Sequence, residues 1–165
     1  MTDAELVTGS ARRPVVRLER HLADPPEVVW RALTEREQLQ SWFPCDVIVD
    51  GGRWEAGAAI TFPFSPEVTL TGEVLEVDDS RRLAFTWGEE ILRFELAAYG
   101  GGTLLVLTDE LPPDAAARNA AGWDGCLDQL AGIKVAEDAW RTRFDAYCAR
   151  FQPVLGPQAG PPAGI

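Results

Sequence analysis

The sequence predicts an α+β domain in which a curved antiparallel sheet of about six to seven strands wraps around a long helix near the C-terminal end. Three observations carry this. A run of six short β-type segments lies between Cys45 and Thr108 with no helix-length segment among them, which excludes a parallel α/β sheet. One strand and two helix-start signals precede the run, and apolar stripes at helical spacing follow it.

The first strand is Val15 to Leu22, where Val16, Leu18 and Leu22 share one side. In DPPEVVWRAL, Asp24 is an N-cap candidate, Pro25 suits the first helical position, and Glu27 can reach back to the cap amide. Thr34 and Glu37 form a T-x-x-E capping box that restarts a second short helix, with Leu39 and Trp42 on one face. The segments CDVIVD, AAITFPF, VTLTGEVLEV, RLAFTW, ILRFEL and TLLVLT favour Val, Ile, Leu, Thr and Phe, and GG, SP, DDSRR, GEE and YGGG separate them as turns. LPPD then supplies two prolines and the cap Asp114 for a helix that runs to about Ala131 before Gly132. Trp123, Cys126, Leu127 and Leu130 form its apolar face, which must pack on the sheet. Trp140, Phe144, Tyr147 and Phe151 mark a further helix over 132–152, which either packs back on the domain or docks a partner or a second copy. Residues 1–13 show no periodicity, and 153–165 are more than half Pro and Gly. Both ends are therefore expected to be disordered tails around a single domain over 14–152.

The whole-chain balance narrows the function classes. Hydrophobic residues make up 46% and charged residues 25% of 165, the composition of one ordinary globular domain. The net charge of −11, scattered through the chain, repels phosphate backbones and anionic headgroups, so nucleic acid and membrane surfaces are not expected partners. No signal-peptide run and no stretch of 18 apolar residues occurs, which makes a cytoplasmic location the default expectation. Cys45, Cys126 and Cys148 lack metal or disulfide spacing and read as buried thiols; no metal site and no cofactor is expected.

Four stretches carry a resemblance. VVWRALTEREQLQSWF, GEVLEVDDSRRLAFTW, GGTLLVLTDE and AAGWDGCLDQLAG, in that order over about 14–132, resemble the signatures of homologues of the activator of the 90-kDa heat-shock-protein ATPase. That family is part of the superfamily, abbreviated SRPBCC, that includes START lipid-transfer domains and the birch-pollen allergen. The resemblance implies the helix-grip fold, with a cavity between the concave sheet and the long helix that in many members holds an apolar or amphipathic ligand. It also implies a chaperone partner, although a chain read as a single bacterial-type domain is not expected to carry the extra domain with which the eukaryotic activator holds the chaperone.

Strand parity names the residues that would line such a cavity: Phe62 and Phe64; Leu83, Phe85 and Trp87; Leu92, Phe94 and Leu96; with Trp123 facing them from the helix and Trp42 or Phe43 near the mouth. The same aromatics would equally serve as plain core. Catalytic residues are not indicated. His21 is the only histidine and has no partner at a recognisable spacing. Among the carboxylates, Glu73, Glu76 and Glu95 alternate with inward residues and read as solvated, and Asp109 with Glu110 ends a strand. The expected function is therefore binding of a small hydrophobic or amphipathic ligand, against a chaperone-cofactor role or a cyclase- or dehydratase-like enzyme. The enzyme would require an ionisable side chain buried beside an open pocket.

Overall fold

Short β-rich segments joined by tight turns pair with their sequence neighbours, and here they build one open antiparallel sheet. The computed structural model describes residues 3–8 and 13–161. Its strands are β1 (Glu5–Val7), β2 (Val15–Leu22), β3 (Ile48–Val49), β4 (Ala59–Pro63), β5 (Thr69–Asp78), β6 (Arg82–Trp87), β7 (Glu90–Tyr99) and β8 (Gly102–Glu110). They lie in the order β1-β2-β8-β7-β6-β5-β4-β3, with every pairing antiparallel. The helices are α1 (Pro26–Thr34), α2 (Arg36–Leu39), α3 (Ala116–Leu130) and α4 (Ala139–Leu155). This is the α+β helix-grip arrangement, with eight strands among the described residues.

The sheet curls because β5 serves two neighbours. Its first half pairs with β4 from Thr69 to Glu73, and its second half pairs with β6 from Val74 to Asp78 across a register shift between Val74 and Glu76. Gly72 sits at the changeover, where a Cβ would lie 1.9 Å from the Thr86 carbonyl oxygen. Only glycine allows so close a backbone approach, so this position fixes the bend.

Side chains that alternate along the strands fill the concave side. Leu18, Phe62, Leu83, Phe85, Leu92, Phe94, Leu105 and Leu107 are buried there, and α3 covers them with Ala116, Ala120, Trp123 and Leu127. A buried ionic cluster joins the next layer. Arg20 on β2 bonds Asp124 of α3 at 2.8 Å, Arg143 on α4 bonds Asp128 of α3 at 2.7 Å, and Tyr147 on α4 donates to Asp124. Phe144, Tyr147 and Phe151 are buried, so the α4 stripe packs back on its own domain.

Several local expectations are corrected. Residues 5–7, within the segment expected to be an unstructured tail, form β1 on the edge of β2, and the Ala4 amide donates to the Tyr147 hydroxyl. The outermost residues of both expected tails fall outside the described segments. Helix α4 runs on through Pro153 to Leu155, and the chain after it folds back, with the Gln158 side chain accepting from the Ala117 amide. None of the three proposed caps forms a side-chain capping bond to its helix start. Pro25 occupies the cap position of α1, and Glu35 that of α2. Thr34 turns its hydroxyl back to the Trp30 carbonyl, which removes it from the capping box. Beyond Asp114 a short 3-10 turn intervenes before α3 starts. The three thiols are free and half-buried rather than fully enclosed.

Candidate functional site

The expected cavity under the centre of the sheet is filled. Trp42, Phe62, Phe85 and Phe94, four of the seven proposed liners, are buried in mutual contact: Phe62 stacks on Phe85 at 5.9 Å, Phe85 on Phe94 at 6.1 Å, and Trp42 meets Phe94 edge-on at 6.1 Å. Trp42 is 2% exposed, and its indole donates to the Ala32 carbonyl at 2.9 Å. It belongs to the core, although it also borders a crevice of about 260 Å³ beside α1. Phe43 plugs the space next to it, 5.5 Å from Trp123 and 6.0 Å from Trp87.

The other three proposed liners, Phe64, Trp87 and Trp123, border a pocket of about 500 Å³ at the end of the sheet. This volume is in the range of small-ligand sites. The strands β5 to β7 form one wall, α3 a second, and Trp140 of α4 a third. Trp87 and Trp123 meet at 5.3 Å, and Phe64 lies 5.6 Å from Trp87. Phe43 forms the barrier between this pocket and the core. A broader hollow of about 640 Å³ lies elsewhere, against the β5–β6 turn, and is rimmed by charged side chains such as Arg82, which pairs with Glu76 and Asp78. Those charges satisfy one another at the surface.

The polar end of the aromatic pocket carries the Glu90 carboxyl, with a second carboxyl, Asp109, fully buried behind it. Leu92 faces Asp109 directly across β7 and β8, so Glu90, two residues before Leu92, projects from the same inner face as Asp109. Asn119 and Trp123, four apart on α3, reach down to them. The Asn119 amide donates to Glu90 Oε1 at 2.6 Å and to Asp109 Oδ2 at 3.0 Å, and the Trp123 indole donates to Asp109 Oδ2 at 2.9 Å. Among the described residues no N–H group reaches Oδ1 of Asp109, which is fully buried. A carboxylic acid is the group able to supply the missing donor, and Glu90 is the one beside it.

Burial, then the neighbouring Asp109, raises Glu90 to about 9. Burial also raises Asp109, against the hydrogen bonds from Glu90, Trp123 and Asn119 that favour its ionised form. At least one of the two acids therefore stays protonated through neutral pH, the behaviour of carboxyls that cannot both ionise in a dry site.

Of the residues flagged in the sequence, His21 is exposed and rests edge-on to Tyr99 at 4.8 Å, and Glu73, Glu76 and Glu95 are exposed on the outer face. None of these approaches the pocket. Asp109 does, and Glu90 is the residue sequence reasoning missed. Its signal was available in the parity it shares with Leu92 and Phe94, but GEE was read as a turn.

The comparisons with known proteins agree with this fold. The sequence pattern described as Activator of Hsp90 ATPase homolog 1-like protein matches residues 23–133. A protein of unknown function, EF2215 from Enterococcus faecalis, superposes with a TM-score of 0.77 over 92% of this chain and 91% of its own, at 21% identity. The crystal structure of CalU16 from Micromonospora echinospora gives 0.72 over 89% and 96%, also at 21% identity. CV1439 from Chromobacterium violaceum is 26% identical, with a TM-score of 0.57 over 72% and 94%. No curated protein matches the sequence significantly. Among the described residues no helix is long and apolar enough to cross a membrane. With two thirds of its length matched by the family pattern and the helix-grip architecture in place, the chain belongs to the Activator of Hsp90 ATPase homolog 1-like protein family.

Proposed function

We propose that the protein binds a small amphipathic molecule in the pocket walled by Phe64, Trp87, Trp123 and Trp140. The observation that carries this reading is the division of the aromatic set: most of it, Trp123 included, is buried in the core, while Phe64, Trp87 and Trp140 stay half-buried and, with one edge of Trp123, surround about 500 Å³ of space with one polar end. Indole and phenyl walls give a flat apolar body a large contact area, and a few polar groups at one end fix its orientation. The fold, shared across the family, is compatible with this use.

An enzyme of the cyclase or dehydratase kind is a second reading that one observation favours, because Glu90 is an ionisable group partly buried beside an open pocket. Among the described lining residues there is no Ser, Cys, His or Lys to act as a nucleophile, so proton transfer is the chemistry such an enzyme would have.

The binding reading is tested by native mass spectrometry of gently purified protein, together with calorimetric titration of 4-phenylbutan-1-ol, a neutral probe with a flat apolar body. Binding that weakens roughly tenfold in Trp140→Ala, with the fold retained, supports it. No retained ligand and no titratable binding would sink it.

A further inference from the structure

The hydrogen-bonding inventory at the polar end of the pocket is unbalanced, and the imbalance indicates what the site accepts. Both N–H bonds of the Asn119 amide are spent on Glu90 and Asp109, and the single N–H of Trp123 is spent on Asp109. Glu90 and Asp109 lie within hydrogen-bond reach of one another, so the carboxyl proton of Glu90 can be shared with Asp109, whose Oδ1 has no other donor. The Trp87 indole N–H, which has no oxygen or nitrogen partner, is turned toward the Cys45 thiol, so what this cluster offers the pocket is acceptor capacity on Glu90, backed by a second acid. Three indole rings stand around it, from Trp87, Trp123 and Trp140. Aromatic faces beside a carboxylate favour a cation, and the net charge of −11 attracts one.

The charged groups nearby modulate this without reversing it. Arg118, on α3, lies in the pocket wall with Nη1 turned to the Gly160 carbonyl at 3.3 Å. Arg13, before β2, bonds the carbonyls of Glu89 and Glu110. Glu89 adds a further negative charge at the rim, and Glu110 of β8 is occupied by Arg93 of β7 at 3.2 Å.

We propose that the polar end of the pocket is a recognition site for a protonated primary or secondary amine carried on an apolar body. The ammonium donates to Glu90 while the body lies against Trp87, Trp123 and Trp140. This rests on the ligand-binding reading above. In the exchange, the acid pair holding one proton takes up R–NH3⁺, both carboxyls become ionised around it, and the displaced proton passes to solvent. No bond in the ligand forms or breaks. Charge at the site is conserved, because one proton leaves as one cation enters.

The test is calorimetric titration of the intact chain with 4-phenylbutylamine, 4-phenylbutan-1-ol and 4-phenylbutyrate, in phosphate and in Tris buffer near neutral pH, where the two buffers' ionisation enthalpies report protons released. The amine is expected to bind at least about tenfold more tightly than the alcohol and to release close to one proton. Its affinity should rise up to roughly tenfold per pH unit until the pair ionises near 9. Glu90→Gln keeps the shape and can donate an amide N–H to Asp109. It should fold, while losing the proton release, the pH dependence and the preference for the amine over the alcohol. Equal affinities for amine and alcohol without proton release would overturn the inference and leave the ligand-binding reading intact. So would proton release that persists in Glu90→Gln. Tightest binding of the carboxylate would overturn it in favour of Arg118, and binding of none of the three would overturn both readings.

Discussion

The indole Nε1 of Trp123 donates to Oδ2 of Asp109 at 2.9 Å, and both residues are buried. The bond ties the helix that covers the sheet to the acid buried behind the pocket. Trp123→Phe removes the donor and keeps an aromatic ring beside Trp87. The variant should lose about 1–3 kcal/mol of unfolding free energy, the usual effect of removing one hydrogen bond to a buried carboxyl that keeps its bond from Asn119, as read from urea denaturation at neutral pH. Unchanged stability would mean that the bond contributes nothing net.

The shared proton makes stability depend on pH with a definite sign. Glu90 titrates near 9 in the folded chain and near 4.5 when exposed, so between these values the folded state binds more protons than the unfolded state. The stabilisation is complete below about pH 4.5 and is lost as pH rises toward 9. Glu90→Gln should flatten that slope and be more stable than the parent on the alkaline side. Thermal melts across this range check it, and parallel profiles for the two proteins would show that Glu90 titrates normally.

Trp42 is a core residue, so its removal should act on stability and not on the site. Trp42→Ala leaves a large void next to Phe43 and Phe94 and should cost about 3–5 kcal/mol. In the population that remains folded, affinity for 4-phenylbutan-1-ol should be within about twofold of the parent. A stable Trp42→Ala that binds the probe poorly would place Trp42 at the rim after all.

Tyr147 links three parts of the chain, accepting from the Ala4 amide and donating to Asp124. Tyr147→Phe should destabilise by about 1–3 kcal/mol and speed hydrogen exchange at the Ala4 amide. Equal exchange rates would show that β1 is held by its pairing to β2 alone.

The fold was legible because period and punctuation agree over most of the chain. The six segments from Cys45 to Thr108 each overlap one of the strands β3 to β8, since β-branched runs broken by Gly-rich turns have few other ways to bury one face. What escaped depends on tertiary context. Residues 5–7 become β1 only because β2 offers an edge, and Pro153 stays helical because Leu155 and Phe151 anchor the last turn against the core. The T-x-x-E box fails because the Thr34 hydroxyl has a nearer acceptor in the preceding turn.

The site was legible in part. Parity selected the inward aromatics but cannot tell which of them touch one another and which leave a gap; that depends on where Phe43 ends and where Trp140 arrives from a helix far along the chain. Asp109 was visible as an acid at a strand end. Glu90 was not, because a glutamate beside Gly88 reads as turn unless its parity with Leu92 is followed one step back.

The six tryptophans supply the most direct test of the central claim that the pocket is the functional site. Their indole N–H resonances can be followed by 15N NMR while 4-phenylbutan-1-ol is added. Trp87, Trp123 and Trp140 line the pocket, whereas Trp30, Trp42 and Trp54 lie away from it and serve as internal controls. The predicted result is saturable movement of the first three with the other three still. Movement of Trp42, or of none of the six, would contradict it.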